Sequence, residues 1–191
     1  MVHIRGTSVL GTVRFVRETY GSEAHETVLA ALPARHCATF LGPVREASWE
    51  PLEDLVAYME MARTVLAPDE DGFYRRIGRY VGRQVGGSGF RFLMGSHPHA
   101  AVTRAAFMWG FLYDAGRVEI VSKSEREIVF QIRDFTPPSR THCERIAGFL
   151  EGCLDVQGAD RPRVEEMACA LAGADHCQIR VQWGLPDDPT P

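Results

Sequence analysis

Hydrophobic positions recur with a helical period through the first half of this chain and with a period of two through most of the second, the change falling near residue 117. Val9, Val13, Val16 and Tyr20 mark a first helix that Gly21 closes. Ser22 stands where the N-cap of a short second helix belongs, one that buries Val28, Leu29 and Leu32 before Pro33. Behind Pro51, which suits a first helical turn, Leu52, Leu55, Val56, Met59 and Leu66 form one stripe. Phe73, Ile77, Tyr80, Val81 and Val85 repeat the pattern in a fourth helix. The glycines of GRYVGRQVGGSG follow that helix pattern without a phosphate-binding lysine, so they read as a helix end and turn. From Val102 to Tyr113 the chain is apolar on more than one side, which predicts a buried central helix.

After Gly116 alternation takes over. Val118 and Ile120, then Ile128, Phe130 and Ile132 beyond the polar turn SKSER, predict a β-hairpin. TPPSRTHCERIAGFLEGCLDVQG supplies a loop, a Ser139 cap and a helix bearing Cys143, Ile146, Ala147 and Leu150. A second hairpin runs through RVEEMACAL and CQIRVQW and puts Cys177, Ile179, Val181 and Trp183 on one side. The predicted fold is α/β in the α+β sense: a helical N-terminal half, then a mostly antiparallel sheet of about four strands, in two hairpins, covered by helices. Residues 1–185 are expected to form a single domain and residues 186–191 a loose tail.

Composition narrows the class. The 191 residues are 45% hydrophobic and 24% charged, an ordinary globular balance with enough chain for one core. Arg5, Arg14 and Arg17 interrupt the N-terminus, and no window approaches the roughly 18 apolar residues of a membrane span. A cytoplasmic location is therefore expected, where disulfides are rare and clustered cysteines more often bind metal or act in catalysis. A net charge of −4 offers no electrostatic reason for nucleic acid to bind. No glycine-rich phosphate loop follows a strand, and neither G-x-S-x-G nor H-E-x-x-H occurs, so no enzyme class is indicated.

The five cysteines carry the most chemistry. Cys37 and Cys153 lie in apolar helical surroundings and read as core fillers. Cys169 and Cys177 flank a short hairpin tip, where a suitable register sets them opposite each other on one face. Cys143 comes from the helix that must cover that face. Glu166 is the nearest fourth ligand, yet strict alternation places it opposite Cys169 unless a β-bulge intervenes. His142, His176 and Glu165 are the alternatives. Three thiolates and a carboxylate suit zinc, and a site closed by four protein ligands would be structural.

The pattern C-x22-E-x2-C-x7-C formed by Cys143, Glu166, Cys169 and Cys177, with the ending CALAGADHCQIRVQW, resembles the 4-vinyl reductase-like domain. That domain also forms the sensory part of phenol-responsive transcription activators. The resemblance implies zinc held by those four residues beside a pocket for a small apolar or aromatic ligand. The letters around Asp175 and Cys177 depart from the usual ending, where an acidic residue follows the glycine directly and an aromatic follows the last cysteine. GTVRFVRETYGSEAHETVLAAL and SWEPLEDLVAYMEMARTVLAPDEDGFYRRIGRYVG look like the helical half of the haem nitric-oxide/oxygen-binding domains, which share a fold group with vinyl reductase-like and trafficking-complex domains. In whole-chain order the sequence is similar to a paralogous myxobacterial family of roughly 200-residue proteins of unknown function.

A non-enzymatic, zinc-binding sensor is the expectation that follows, with Phe107, Trp109, Phe111, Tyr113 and His97 as pocket residues, a homodimer as the assembly, and an unidentified protein partner to carry the output. A ligand-free dimeric adaptor is the first alternative and a haem-based gas sensor the second. Haem is expected to be unlikely: His97 and His99 are the nearest axial candidates, and the tyrosine, serine and arginine triplet that holds haem propionates in that family is not recognisable here.

Overall fold

The computed structural model describes residues 1–87, 98–135 and 139–184. Strand β1 (His3–Arg5) leads directly into α1 (Gly6–Tyr20), followed by α2 (Ala24–Ala31), a 3-10 turn, α3 (Ala38–Leu41), β2 (Trp49–Pro51), α4 (Leu52–Leu66) and α5 (Phe73–Gly87). Then come α6 (Pro98–Phe107), α7 (Trp109–Leu112), β3 (Arg117–Lys123), β4 (Glu127–Arg133), α8 (Arg140–Val156), β5 (Arg163–Ala168) and β6 (Cys177–Gln182). The expected mixed architecture is present, a helical half followed by a four-stranded antiparallel sheet in the order β3-β4-β6-β5.

Alternation builds that sheet's inner face. Ile128, Phe130 and Ile132 of β4 and Cys177, Ile179 and Val181 of β6 are all buried against the helices, and β3, with Ile120 and Val121 exposed, forms an edge. The short antiparallel pair β1–β2 has no alternation to announce it, because three residues are too few. It fixes the start of α1, whose Gly6 and Thr7 amides donate to the carbonyls of Ser48 and Glu46 at 2.9 and 3.1 Å.

Helices α5 and α8 pack backbone against backbone. A Cβ added at Gly78 or Gly82 of α5 would strike the carbonyl of Arg145 or Phe149, and one added at Gly148 or Gly152 of α8 would strike that of Arg75 or Arg79. Only glycine permits this approach. Gly78 and Gly82 are thus mid-helix packing positions rather than the helix end and turn expected from the sequence.

Two other expectations are corrected. The second helix begins at Ala24 behind Glu23, so Ser22 does not cap it. The apolar run from Val102 to Tyr113 is not one central helix. It breaks at Met108 into α6 and α7, only one side of which meets α8 and the sheet, leaving Phe107 75% and Phe111 53% exposed.

Candidate functional site

Two places gather chemistry beside the N-terminal and middle turns of α8. At the hairpin end, the ligand atoms of Cys143, Glu166, Cys169 and Cys177 all lie within 4.8 Å of one another. Local structure explains how. The pairing of β5 with β6 shifts between Glu166 and Ala168, and this bulge takes Met167 out of register so that Glu166 and Cys169 reach the same side. A 3-10 turn, Ala170–Ala172, and Gly173 with φ +93° then reverse the chain toward Cys177.

The cluster is bound together by its own hydrogen bonds. Cys143 donates to Cys177; that bond, with burial adding to it, raises the Cys143 thiol, and the same bond depresses the Cys177 thiol against the opposing effect of burial; burial raises Cys169. The Ala170 amide also donates to the Cys177 sulfur at 3.4 Å. The Arg140 guanidinium donates to the Glu166 carboxylate and bonds Cys169. His142 lies on the same helix, but its ring packs edge-on against Tyr113 at 5.5 Å. His176 pairs with Asp175 and Glu165 with Arg180. Cys153 is buried elsewhere against the Gly82 carbonyl, and Cys37 lies beside the Leu32 carbonyl.

Beside Arg145, Ile146, Phe149 and Leu150 of the same helix, α1, α6, α7, β3, β4 and α8 line a cavity of about 40 Å³ whose wall includes Ser8, Ala106, Trp109, Tyr113, Phe130 and Arg145. Trp109 stacks on Tyr113 at 4.1 Å between ring centroids and donates its indole N–H to the Ala115 carbonyl at 2.9 Å, so this wall is held in place. Of the expected pocket residues, Trp109 and Tyr113 line the cavity. Phe107 and Phe111 lie outside it, paired with each other at 6.0 Å on the surface, and His97 falls outside the described residues.

Sequence reasoning missed Arg145 and named His142 only as an alternative metal ligand. Arg145 is 2% exposed, and its Nε and Nη2 have no hydrogen-bond partner; His142, 1% exposed, has none for either ring nitrogen. Burial depresses both, with the Arg145 charge also acting on His142. Polar residues on an amphipathic helix normally mark its solvent face. Only their phase relative to Ile146 and Leu150 could have signalled otherwise.

Comparison with known proteins bears on the whole chain. No family model matches it, and no curated protein does. Solved structures do. An H-NOX protein from S. oneidensis in the Fe(II)NO ligation state aligns with a TM-score of 0.72 at 11% identity, covering 95% of this chain and 100% of that one. The fold is the H-NOX fold. An oxygen-binding H-NOX domain related to soluble guanylate cyclases, in its oxygen complex, aligns at 0.66 and 12% identity, covering 98% of this chain and 99% of that one. An H-NOX structure solved to probe the function of haem distortion gives the same TM-score, identity and coverage.

This overturns the expected pairing of structural zinc with haem being unlikely. The matched H-NOX structures are of haem proteins, and a group of thiols is not in itself evidence of zinc.

The arrangement of the described residues also bears on haem. The cavity of about 40 Å³ falls far below the roughly 300 Å³ at which pockets for larger ligands begin. His99, in the first turn of α6, stands edge-on to Trp183 at 6.3 Å and is not part of the cavity wall. As arranged, the described residues do not enclose the group.

Proposed function

We propose that this chain is a non-enzymatic, ligand-sensing regulatory domain of the H-NOX fold, whose ligand enters beneath Trp109 and whose output passes to a protein partner. The observation that carries this reading is the cavity between the helical half and the sheet, walled by side chains from both. A ligand there touches α1, α7, β4 and α8 together, so its differential affinity can shift their packing. Among the described residues no helix is long and apolar enough to cross a membrane. The test is a thermal-shift series with small apolar and aromatic probes, from those of two or three heavy atoms up to phenol. A saturable rise in melting temperature supports the reading by mass action, and no response to any probe removes it.

Haem-based gas sensing is the second reading, favoured by the matched structures. It requires the α6–α7 corner to open. Titration of the reduced protein with haem decides it: a Soret band that saturates at one haem per chain and is lost in His99→Ala supports it, and spectra of free haem alone exclude it.

The convergence of Cys143, Glu166, Cys169 and Cys177 supports placing the chain in the vinyl reductase-like branch of this fold group, with the four acting as one unit that ties α8 to the β5–β6 hairpin. Elemental analysis of protein purified without chelator, beside Cys169→Ser and Cys177→Ser, reads what the unit holds. A homodimer is proposed as the assembly, and light scattering at two concentrations tests it.

A further inference from the structure

We infer that Cys169 and Cys177 form an intramolecular disulfide when hydrogen peroxide oxidises the β5–β6 hairpin, which makes its tip a reversible oxidation site. The inference goes beyond ligand sensing in the cavity and needs neither that ligand nor an ion.

Register carries it. Glu166 pairs with Ile179, and beyond the bulge at Met167 Ala168 pairs with Gln178. Without the bulge Ala168 would stand opposite Cys177. With it, the next pair along is Cys169 with Cys177: Cys169 keeps an extended backbone, φ −139° and ψ 132°, and Cys177 opens β6. Directly opposite residues of an antiparallel pair share a face and have Cα atoms roughly 4.5–5.5 Å apart, inside the roughly 4.4–6.8 Å that a disulfide spans. The two sulfurs lie within 4.8 Å of each other, so side-chain rotation closes the bond and the ladder stays in place. Cys37 and Cys153 lie instead against the Leu32 and Gly82 carbonyls.

The step balances. One thiol attacks hydrogen peroxide, the O–O bond breaks, and a sulfenic acid and water result. The second thiol attacks the sulfenic sulfur, the S–O bond breaks, and the oxygen leaves as a second water carrying the remaining thiol proton. The two sulfurs are oxidised by two electrons and the peroxide is reduced by the same two. Cys169 and Cys177 are 6% and 7% exposed, which admits hydrogen peroxide, little larger than water, and holds off bulky oxidants. The bond would occupy two of the four ligand atoms of the cluster, so the disulfide and an ion there are mutually exclusive. Cys143 of α8 then loses both of its sulfur neighbours, and oxidation unties the helix from the hairpin.

The test is titration of the whole chain with hydrogen peroxide, counting free thiols and mapping disulfides by mass spectrometry of unreduced digests. The expected result is loss of two of the five thiols, a mass lower by two hydrogens, a Cys169–Cys177 link, and full recovery with dithiothreitol. Cys143→Ser should keep the link, because the register does not involve α8, and Cys177→Ser should abolish it. A link from Cys143 to either hairpin cysteine overturns the inference, as does sulfinic acid without a disulfide, oxidation of the partly exposed Cys37 ahead of the pair, or no loss of thiols at any peroxide excess. Mapping of the unaltered chain decides between these outcomes even if Cys177→Ser fails to fold. None of them bears on the thermal-shift series for the cavity, so the sensing reading stands or falls separately.

Discussion

Helix α8 has two neighbourhoods built on opposite principles. Toward α5, Gly148 and Gly152 bring two backbones together, and the charges along that seam are answered: Arg75 binds Glu151, while Arg79 and Arg83 both reach Asp155. Toward Trp109, a few residues away on the same helix, Arg145 and His142 are sealed in with polar atoms unpaired. The first arrangement lowers the free energy of the folded chain. The second raises it, and a fold tolerates such a site where a ligand or a change of state compensates. The difference separates what holds this molecule together from what it can respond with.

The seam is where the comparison breaks most readily. Gly148→Val sets two branches against the Arg75 carbonyl, backbone that cannot rotate away, and should cost about 3 kcal/mol or more in urea unfolding. A loss below about 1 kcal/mol would mean that the helices can separate freely and that the seam is not the rigid element described. Glu151→Gln tests its charges. Glu151 is 6% exposed, with Arg75 donating to it from Nε at 3.0 Å and from Nη2, so the substitution should destabilise by about 2 kcal/mol. An unchanged midpoint would show that these arginines are solvated rather than paired.

Arg145→Met sharpens the contrast because its sign should be reversed. Replacing an uncompensated buried charge by an apolar side chain of similar length should raise stability by about 1 kcal/mol in ligand-free buffer. Destabilisation of comparable size would place Arg145 among the structural residues, with the Tyr113 bond as its purpose.

The two neighbourhoods were not equally legible in the sequence. Elements with clear periods, α1, α4, β4 and β6, were read correctly in kind because alternation and helical stripes follow from which face is buried. The cysteine cluster was legible in spacing, and the need for a bulge beside Glu166 could be stated from alternation alone, as the Glu166/Ala168 shift shows. The seam was written as glycines four apart on each helix, but glycine is also the residue of turns, so Gly78 and Gly82 were misread. Phe107 and Phe111 misled because apolar letters cannot report a helix break at Met108. Arg145 was invisible for a deeper reason: burying a charge contradicts the rule by which sequence patterns are read, and only three-dimensional packing reveals the exception.

The smallest effect expected is a pH slope that links these regions to the helical core. His25, 7% exposed, shares a 2.9 Å hydrogen bond with the Tyr58 hydroxyl, and burial first, then the Arg17 charge, holds its pKa below the ordinary histidine value. A depressed folded-state pKa means that the unfolded chain takes up the proton first. Stability contributed by neutral His25 is therefore complete above the unfolded value near 6.5 and declines as pH falls from there toward the folded value. His142, depressed further by burial, adds to the same slope in the same direction. Urea midpoints between about pH 8 and pH 5 should thus fall on the acid side, and His25→Gln should flatten part of that fall without removing it. If His25→Gln abolishes the slope entirely, His142 is not neutral and buried in solution, and the corner beneath Trp109 is more open to water than the packing of Tyr113 and Phe135 around it indicates.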